Sequence, residues 1–222
     1  MTPFGFFVGT NGSGTTLHRA IFDSHPDLSI PGEAQFVAKL AGNREKYETD
    51  GFDTARLVKD LRKQDRFENW GLDHGDVEKA MAESSVADYP DAIRRIYRLF
   101  AEQRGKSRYG DKTQANIHHL PLLAGLFPEA KFIHAVRDGR DVALAHTDGT
   151  KIEQVAVSWK RRVTAGREAG KALGPDRYIE SRFEELIDDT ETAVRRICEF
   201  IDLPFDSQML TYYERAGEIV ST

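Results

Sequence analysis

The chain has 222 residues, 40% hydrophobic and 10% aromatic, enough for one core of ordinary size and too apolar for a disordered chain. A net charge of −5 argues against a general nucleic-acid-binding surface, and the single Cys198 excludes an internal disulfide and a cysteine-based zinc site. No run approaches the roughly 20 apolar residues of a membrane span, and no charged leader precedes an apolar stretch, so a cytoplasmic protein is expected.

Taken in order, Phe4, Phe6, Phe7 and Val8 predict a short buried strand. Gly9 to Gly14 is a loop of glycine and small polar residues. Thr15 opens a helix with Leu17, Ala20 and Ile21 on one face. Strand, glycine loop and helix N-terminus in that order aim backbone N–H groups and the helix dipole at an anion. The spacing Gly9-x4-Gly14 matches a phosphate-binding P-loop as far as the position of its lysine, where this chain has Thr15. A nucleoside-triphosphate enzyme needs that lysine against the β- and γ-phosphates. The ligand expected here is therefore a phosphate-bearing one whose charge is met by other residues. The plain alternative is a strand-to-helix turn that binds nothing.

Leu28-Ser29-Ile30 is a second strand candidate, Pro31-Gly32 breaks the chain, and Glu33 starts a helix running to about Leu40. Residues 42–105 read as a helical insertion capping the sheet on the acceptor side. Its clearest stripe is Ile93, Ile96, Tyr97 and Phe100. Arg108 to Thr113 predicts a strand ending in a polar turn, and Ile117 to Leu126 a helix. Lys131 to Val136 predicts a buried strand, followed by a helix from about Val142. A long helix from Ile152 to Leu173, a strand from Tyr178 to Phe183 and an amphipathic helix from Thr192 to Ile201 complete the pattern. Strands alternating with helices predict one α/β domain, a P-loop-like three-layer sandwich with a mostly parallel sheet. Ligands on such sheets sit at the carboxyl ends of the strands. The loop from Gly9 to Thr16, Lys112 and Arg137 all follow predicted strands and are expected to face one crevice.

Three stretches together resemble the sulfotransferases that use 3′-phosphoadenosine-5′-phosphosulfate (PAPS), above all their bacterial and tyrosylprotein branches. Val8 to Leu17 resembles the family's G-x-x-R-S-G-T-T-L loop. Gly110-Asp111-Lys112-Thr113 resembles its G-D-K-T-P turn, and Phe127 to Asp141 its F-P-x-A-K-F-I-x-x-V-R-D-x-R-D segment. Pro31-Gly32-Glu33, Trp159-Lys160 and Arg182 to Leu186 are weaker echoes. The resemblance implies metal-independent, in-line transfer of a sulfuryl group from PAPS to a hydroxyl or amine acceptor, leaving 3′-phosphoadenosine 5′-phosphate. It implies that Thr10, Asn11, Gly12, Ser13, Gly14, Thr15 and Thr16 hold the 5′-phosphosulfate, and that Arg137 pairs with the 3′-phosphate. It further implies that Lys112 stabilises the leaving phosphate and that Glu33 is the general base.

Each assignment has a structural rival. Arg137 could pair with Asp138 or Asp141, and Lys112 with Asp111. Glu33 could simply favour the dipole of its helix. A histidine base (His25, His118, His119 or His146) is the alternative to Glu33. The chain also departs from the pattern. Gly12 stands where relatives carry Arg or Lys, and Ala145 where they carry a 3′-phosphate-binding Ser, with His146 or Thr147 as substitutes. Gln114 replaces the usual proline. A nucleotide-kinase-like phosphotransferase is one rival reading, disfavoured by Thr15. A non-catalytic nucleotide binder is the other, supported by Gly12 and Ala145.

Overall fold

In the computed structural model, which describes residues 2–49, 51–145 and 151–214, the strand β1 (Phe4–Gly9) lies at the centre of a five-stranded sheet. The order is β2 (Leu28–Ser29), β3 (Arg108–Lys112), β1, β4 (Ala130–Val136), β5 (Tyr178–Arg182), and the pairings are parallel. All six residues of β1 are buried. Successive side chains of a strand point to opposite faces. Phe4, Phe6 and Val8 accordingly enter one apolar cluster, and Phe7 enters the other.

On the Phe7 face, α1 (Thr15–Asp23) contributes Ile21 and Phe22, while Leu186 comes from a later short helix and Val194 and Ile197 from the amphipathic helix near the C-terminus. The opposite face carries α2 (Gln35–Ala41), α3 (Thr54–Leu61), α4 (Asp65–Glu68), α5 (His74–Ala82), α6 (Tyr89–Glu102) and α7 (Leu120–Leu126). Leu57, Phe67, Trp70, Val77, Ile93 and Phe100 share a cluster with Phe4 and Phe6, so the insertion packs directly on the sheet. Its helices begin at sequence-encoded caps. The side chains of Asp53, Asp73 and Asp88 accept from Arg56 N, Gly75 N and Asp91 N, each cap contributing about 1 kcal/mol. Beyond β4 follow α8 (Gly139–Ala145), α9 (Ile152–Leu173), α10 (Phe183–Asp188) and α11 (Thr190–Phe200).

The register fixes where the loops emerge. Gly9 pairs with Ala135, Ala135 with Ser181, and Phe7 with Lys112, so the segments after β1, β3, β4 and β5 leave one edge of the sheet.

Several boundaries differ from the sequence expectation. The helix expected over Ile117 to Leu126 is a 3₁₀ turn at Gln114–His118 followed by α7, because Pro121 lacks an N–H and fits only a first helical turn. The helix expected from Val142 begins at Gly139. The helices α4 and α10 are too short to show a periodicity. Glu33 precedes α2 and its N-cap residue Ala34 rather than occupying the first turn. His146 and Thr147 lie outside the described residues.

Candidate active site

The loop after β1 is shaped by glycine where a side chain has no room. A Cβ on Gly9 would lie 2.6 Å from Ser13 Oγ and 2.8 Å from the carbonyl oxygen of Ala135. Gly14 has φ of 90°, and a Cβ there would sit 2.4 Å from the Phe183 ring. Ser13 folds inward and donates to the Thr10 carbonyl at 2.7 Å. No side chain caps the N-terminus of α1 and no acidic residue lies in its first turn, which leaves its leading N–H groups to the crevice. Asn11 and Thr16 are exposed beside it.

Two hydroxyls lack any partner in this loop. Thr10 Oγ1 and Thr15 Oγ1 are buried and make no hydrogen bond among the described residues. Each such group costs about 1–3 kcal/mol if left unpaired. Together with the uncapped helix they form a donor-rich cradle that suits an anion.

Behind the cradle, His18 Nδ1 lies 2.9 Å from the Gly14 carbonyl and its Nε2 2.8 Å from Ser181 Oγ. A carbonyl only accepts, so Nδ1 carries the proton and Nε2 accepts from the serine. Burial lowers the His18 pKa to about 4, which keeps the ring neutral. The imidazole thereby ties the loop to β5.

Arg137 leaves the end of β4 and returns to this loop. Its Nη1 donates to the Gly12 carbonyl at 3.3 Å, and the guanidinium lies over the Phe183 ring at 4.6 Å. Asp141 approaches only to 3.8 Å, while Asp138 pairs with Arg140 at 2.6 Å instead. The backbone here is held from two sides. Trp159 Nε1 donates to the Arg137 carbonyl at 3.0 Å, and the Asp138 N–H donates to Glu184 at 2.7 Å. The two weak sequence echoes around Trp159 and Phe183-Glu184 are thus the braces of Arg137. Ala145 sits exposed at the last residue of α8 and brings no polar atom to the loop.

The second half of the crevice is a charge cluster. Lys112 ends β3, is buried, and reaches Glu33 at 3.4 Å rather than pairing with Asp111. Arg66, from α4, takes the other oxygen of Glu33 at 2.8 Å. Arg19 is buried on α1, donates from Nε to the Ile30 carbonyl at 3.0 Å, and acts electrostatically on Glu33 and Lys112 alike. Burial lowers the pKa of Lys112; Glu33 opposes that shift and Arg19 adds to it. Glu33 thus meets three cations, Lys112, Arg66 and Arg19, beside the anion cradle, while Asp23 and Asp111 act in turn on Arg19 and Lys112. Arg66 and Arg19 were not singled out in the sequence, since both stand in ordinary helical surroundings with no motif around them.

Of the alternative histidines, His25, His118 and His119 lie within the described residues. His25 Nε2 donates to the Pro204 carbonyl at 2.8 Å, and Nδ1 accepts from Asp27 N at 3.0 Å, close to where β2 begins and therefore at the opposite end of the sheet. His118 and His119 are exposed in and after the 3₁₀ turn.

Residues 3–207 match the model of the sulfotransferase family. The chain belongs to that family. Curated relatives of this sulfotransferase-family chain include protein-tyrosine sulfotransferase A of Caenorhabditis elegans, 23% identical over 99% of this chain and 55% of that protein. They also include protein-tyrosine sulfotransferase of Drosophila melanogaster, 24% identical over 96% of this chain and 40% of that protein. The chain thus spans about half the length of these relatives. Among solved structures, the sulfotransferase domain of the Synechococcus PCC 7002 olefin synthase superposes with a TM-score of 0.65 at 23% identity, covering 95% of this chain and 77% of that one. Mouse sulfotransferase SULT7A1, complexed with PAP, gives 0.53 at 13% identity, covering 97% and 65%. These likenesses establish the fold, a parallel-sheet α/β sandwich. No described helix is long and apolar enough to cross a membrane.

Proposed function

We propose that this chain transfers a sulfuryl group from PAPS to a hydroxyl or amine acceptor. The observation that carries the reading is the pairing of an anion cradle, with orphaned hydroxyls at Thr10 and Thr15, with a Glu33–Lys112–Arg66 cluster at the same end of the sheet. PAPS supplies an activated sulfur whose bond to the 5′-phosphate breaks as the acceptor oxygen or nitrogen attacks. The N–H groups of the loop and the hydroxyls of Thr10, Thr15 and Thr16 hold the 5′-phosphosulfate end, while Ser13, its proton given to the Thr10 carbonyl, braces the loop. Arg137, stiffened by Phe183 and Trp159, binds the 3′-phosphate, for which a planar guanidinium is well matched.

Glu33 takes the acceptor proton. Its two oxygens are held apart on separate cations, Lys112 at 3.4 Å and Arg66 at 2.8 Å, which fixes the direction the carboxylate faces. Lys112 stabilises the charge that develops on the leaving phosphate, and such fixed charges in a partly buried site act without reorganisation. The charge absent at Gly12 is supplied from outside the loop, by Lys112 with Arg19 behind it. The insertion supports one wall of the acceptor side, since Arg66 reaches Glu33 from it. The names of the curated relatives make peptidyl tyrosine the first acceptor to test.

The test is incubation with ³⁵S-labelled PAPS and a panel of peptidyl tyrosine, a small phenol, an aliphatic alcohol and an amine. Label transfer to at least one acceptor is expected. Nucleotide binding without transfer to any of them would instead favour the non-catalytic binder.

A further inference from the structure

Glu33 lies outside any helix or strand, so no regular element fixes its side chain. Its two flanking residues are pinned instead. The Gly32 carbonyl accepts from Trp70 Nε1 at 3.1 Å, and the Ala34 N–H donates to Thr113 Oγ1 at 2.7 Å. The Thr113 hydroxyl has a single proton, and it points to Asp111 Oδ2 at 2.9 Å. Asp111 also accepts from Tyr97 Oη at 2.7 Å and from Asn116 Nδ2 at 2.9 Å. Asp111, Thr113, Asn116 and Tyr97 are all buried to within 1% of complete.

We infer that Thr113 is the positioning residue for Glu33: its hydroxyl, aimed by the buried Asp111 carboxylate, pins the Ala34 peptide to the end of β3 and sets the Glu33 carboxylate against Lys112. The catalytic half of this inference rests on the reading of Glu33 as general base.

The geometry explains why a carboxylate is buried beside Lys112 without pairing to it. Asp111 has three neutral donors on its two oxygens, and burial still pushes its pKa up to about 6. A cost of that kind is retained where the group organises its neighbours. Here the neighbours lie on different segments: Tyr97 on α6 of the insertion, Thr113 after β3, and through it the Ala34 peptide before α2. Charge-assisted hydrogen bonds are roughly twice as strong as neutral ones, so the ionised Asp111 fixes the hydroxyl rotor of Thr113 more firmly than a neutral acceptor would. The rotor in turn leaves one lone pair facing Ala34. Insertion, sheet and candidate base form one chain of contacts.

A merely structural threonine would affect stability and nucleotide binding together, whereas a positioning residue affects turnover alone. Thr113→Val keeps the shape and removes both hydrogen bonds. Thr113→Ser restores the hydroxyl. With labelled PAPS and whichever of the four acceptors the wild type uses, Thr113→Val is expected to lower kcat about 10- to 100-fold, the usual consequence of a misplacement near 1 Å, with donor KM nearly unchanged. Thr113→Ser is expected to recover most of the loss. Tyr97→Phe, which leaves the Tyr97 ring in its packing, gives a smaller fall in kcat in the same direction. A crystal structure of Thr113→Val is expected to show Glu33 displaced from Lys112, a readout that needs no activity. A wild type that labels none of the acceptors overturns the general-base reading. An unchanged Glu33–Lys112 contact in the variant structure, or a Thr113→Val enzyme with wild-type kcat, overturns the positioning role whatever the fate of that reading.

Discussion

The two halves of the crevice are built by different means. The loop half, from Gly9 to Thr16 with Arg137 over it, is made of backbone: glycine clearances, an uncapped helix and a guanidinium held by carbonyl and ring contacts. The other half is made of side chains brought from afar, with Glu33 meeting Lys112 across 79 residues of sequence and Arg66 across 33. A backbone cradle recognises any group of the right charge and size. A side-chain cluster can be poised for one proton transfer and retuned by changing the insertion. On the proposed function, donor binding and turnover are therefore separable, and substitutions in one half are expected to leave the other largely intact.

The sharpest break is Glu33→Gln. Loss of a general base lowers rates by about 10²- to 10⁴-fold, so turnover is expected to fall by that much in a single-turnover assay, with affinity for 3′-phosphoadenosine 5′-phosphate nearly unchanged. A variant that kept its turnover would move the base to water or to another residue.

The complementary break is Arg137→Ala. A hydrogen bond to a charged group contributes about 1.5–3 kcal/mol, so calorimetry is expected to show binding of the 3′-phosphorylated nucleotide weakened about 10- to 100-fold. A nucleotide lacking that phosphate should bind as before. Equal losses for both would assign Arg137 to the loop rather than to the 3′-phosphate.

The scaffolds under the two halves titrate in opposite senses. His18, behind the loop, and His134, whose Nδ1 lies 2.6 Å from Tyr178 Oη, both have pKa values lowered by burial from 6.5 to about 4. The stability they contribute is present above pH 6.5 and lost as pH falls through about 4. Asp111, raised from 3.8 to about 6, acts the other way: its contribution is present below 3.8 and lost as pH rises through about 6. Two histidines against one carboxylate leave a net uptake of about one proton on unfolding near pH 5, a slope on the order of 1 kcal/mol per pH unit. Stability from urea melts is expected to rise between pH 4 and 6.5, less steeply in His18→Asn and more steeply in Asp111→Asn.

The smallest expected effect is that of Arg66→Ala. Its side chain is 53% exposed, and pairs of that kind contribute about 0.2–1 kcal/mol, so kcat or acceptor KM should change by no more than about fivefold. A larger change would make Arg66 a substrate contact in its own right.

How far the sequence reaches follows the same division. The strand–loop–helix unit, the parallel sheet and the place of Arg137 after a strand could be read because each is signalled by a local run of residues, whereas the contact of Arg137 with Gly12 spans 125 residues and could not. Glu33 and Lys112 could be named, but not their joint partner Arg66, which sits in a four-residue helix without periodicity. Arg19 was hidden in an apolar helix face. Pairing of Lys112 with Asp111 is the structural rival to its role at the leaving phosphate, yet neighbours in a strand point to opposite sides, and Lys112 reaches Glu33 instead. The pinning of Ala34 by Thr113 depends on two loops 79 residues apart meeting at one hydroxyl, which no local pattern encodes.

On the proposed function the crevice takes a 3′-phosphorylated adenosine donor rather than a nucleoside triphosphate with magnesium. Thermal melts with 3′-phosphoadenosine 5′-phosphate and, separately, with ADP and Mg²⁺ test it directly. At about a hundredfold excess over Kd, the first ligand is expected to raise Tm by about 5–10 °C and the second by little at the same concentration. Equal shifts, or a larger one with ADP and Mg²⁺, would rule out the 3′-phosphorylated donor.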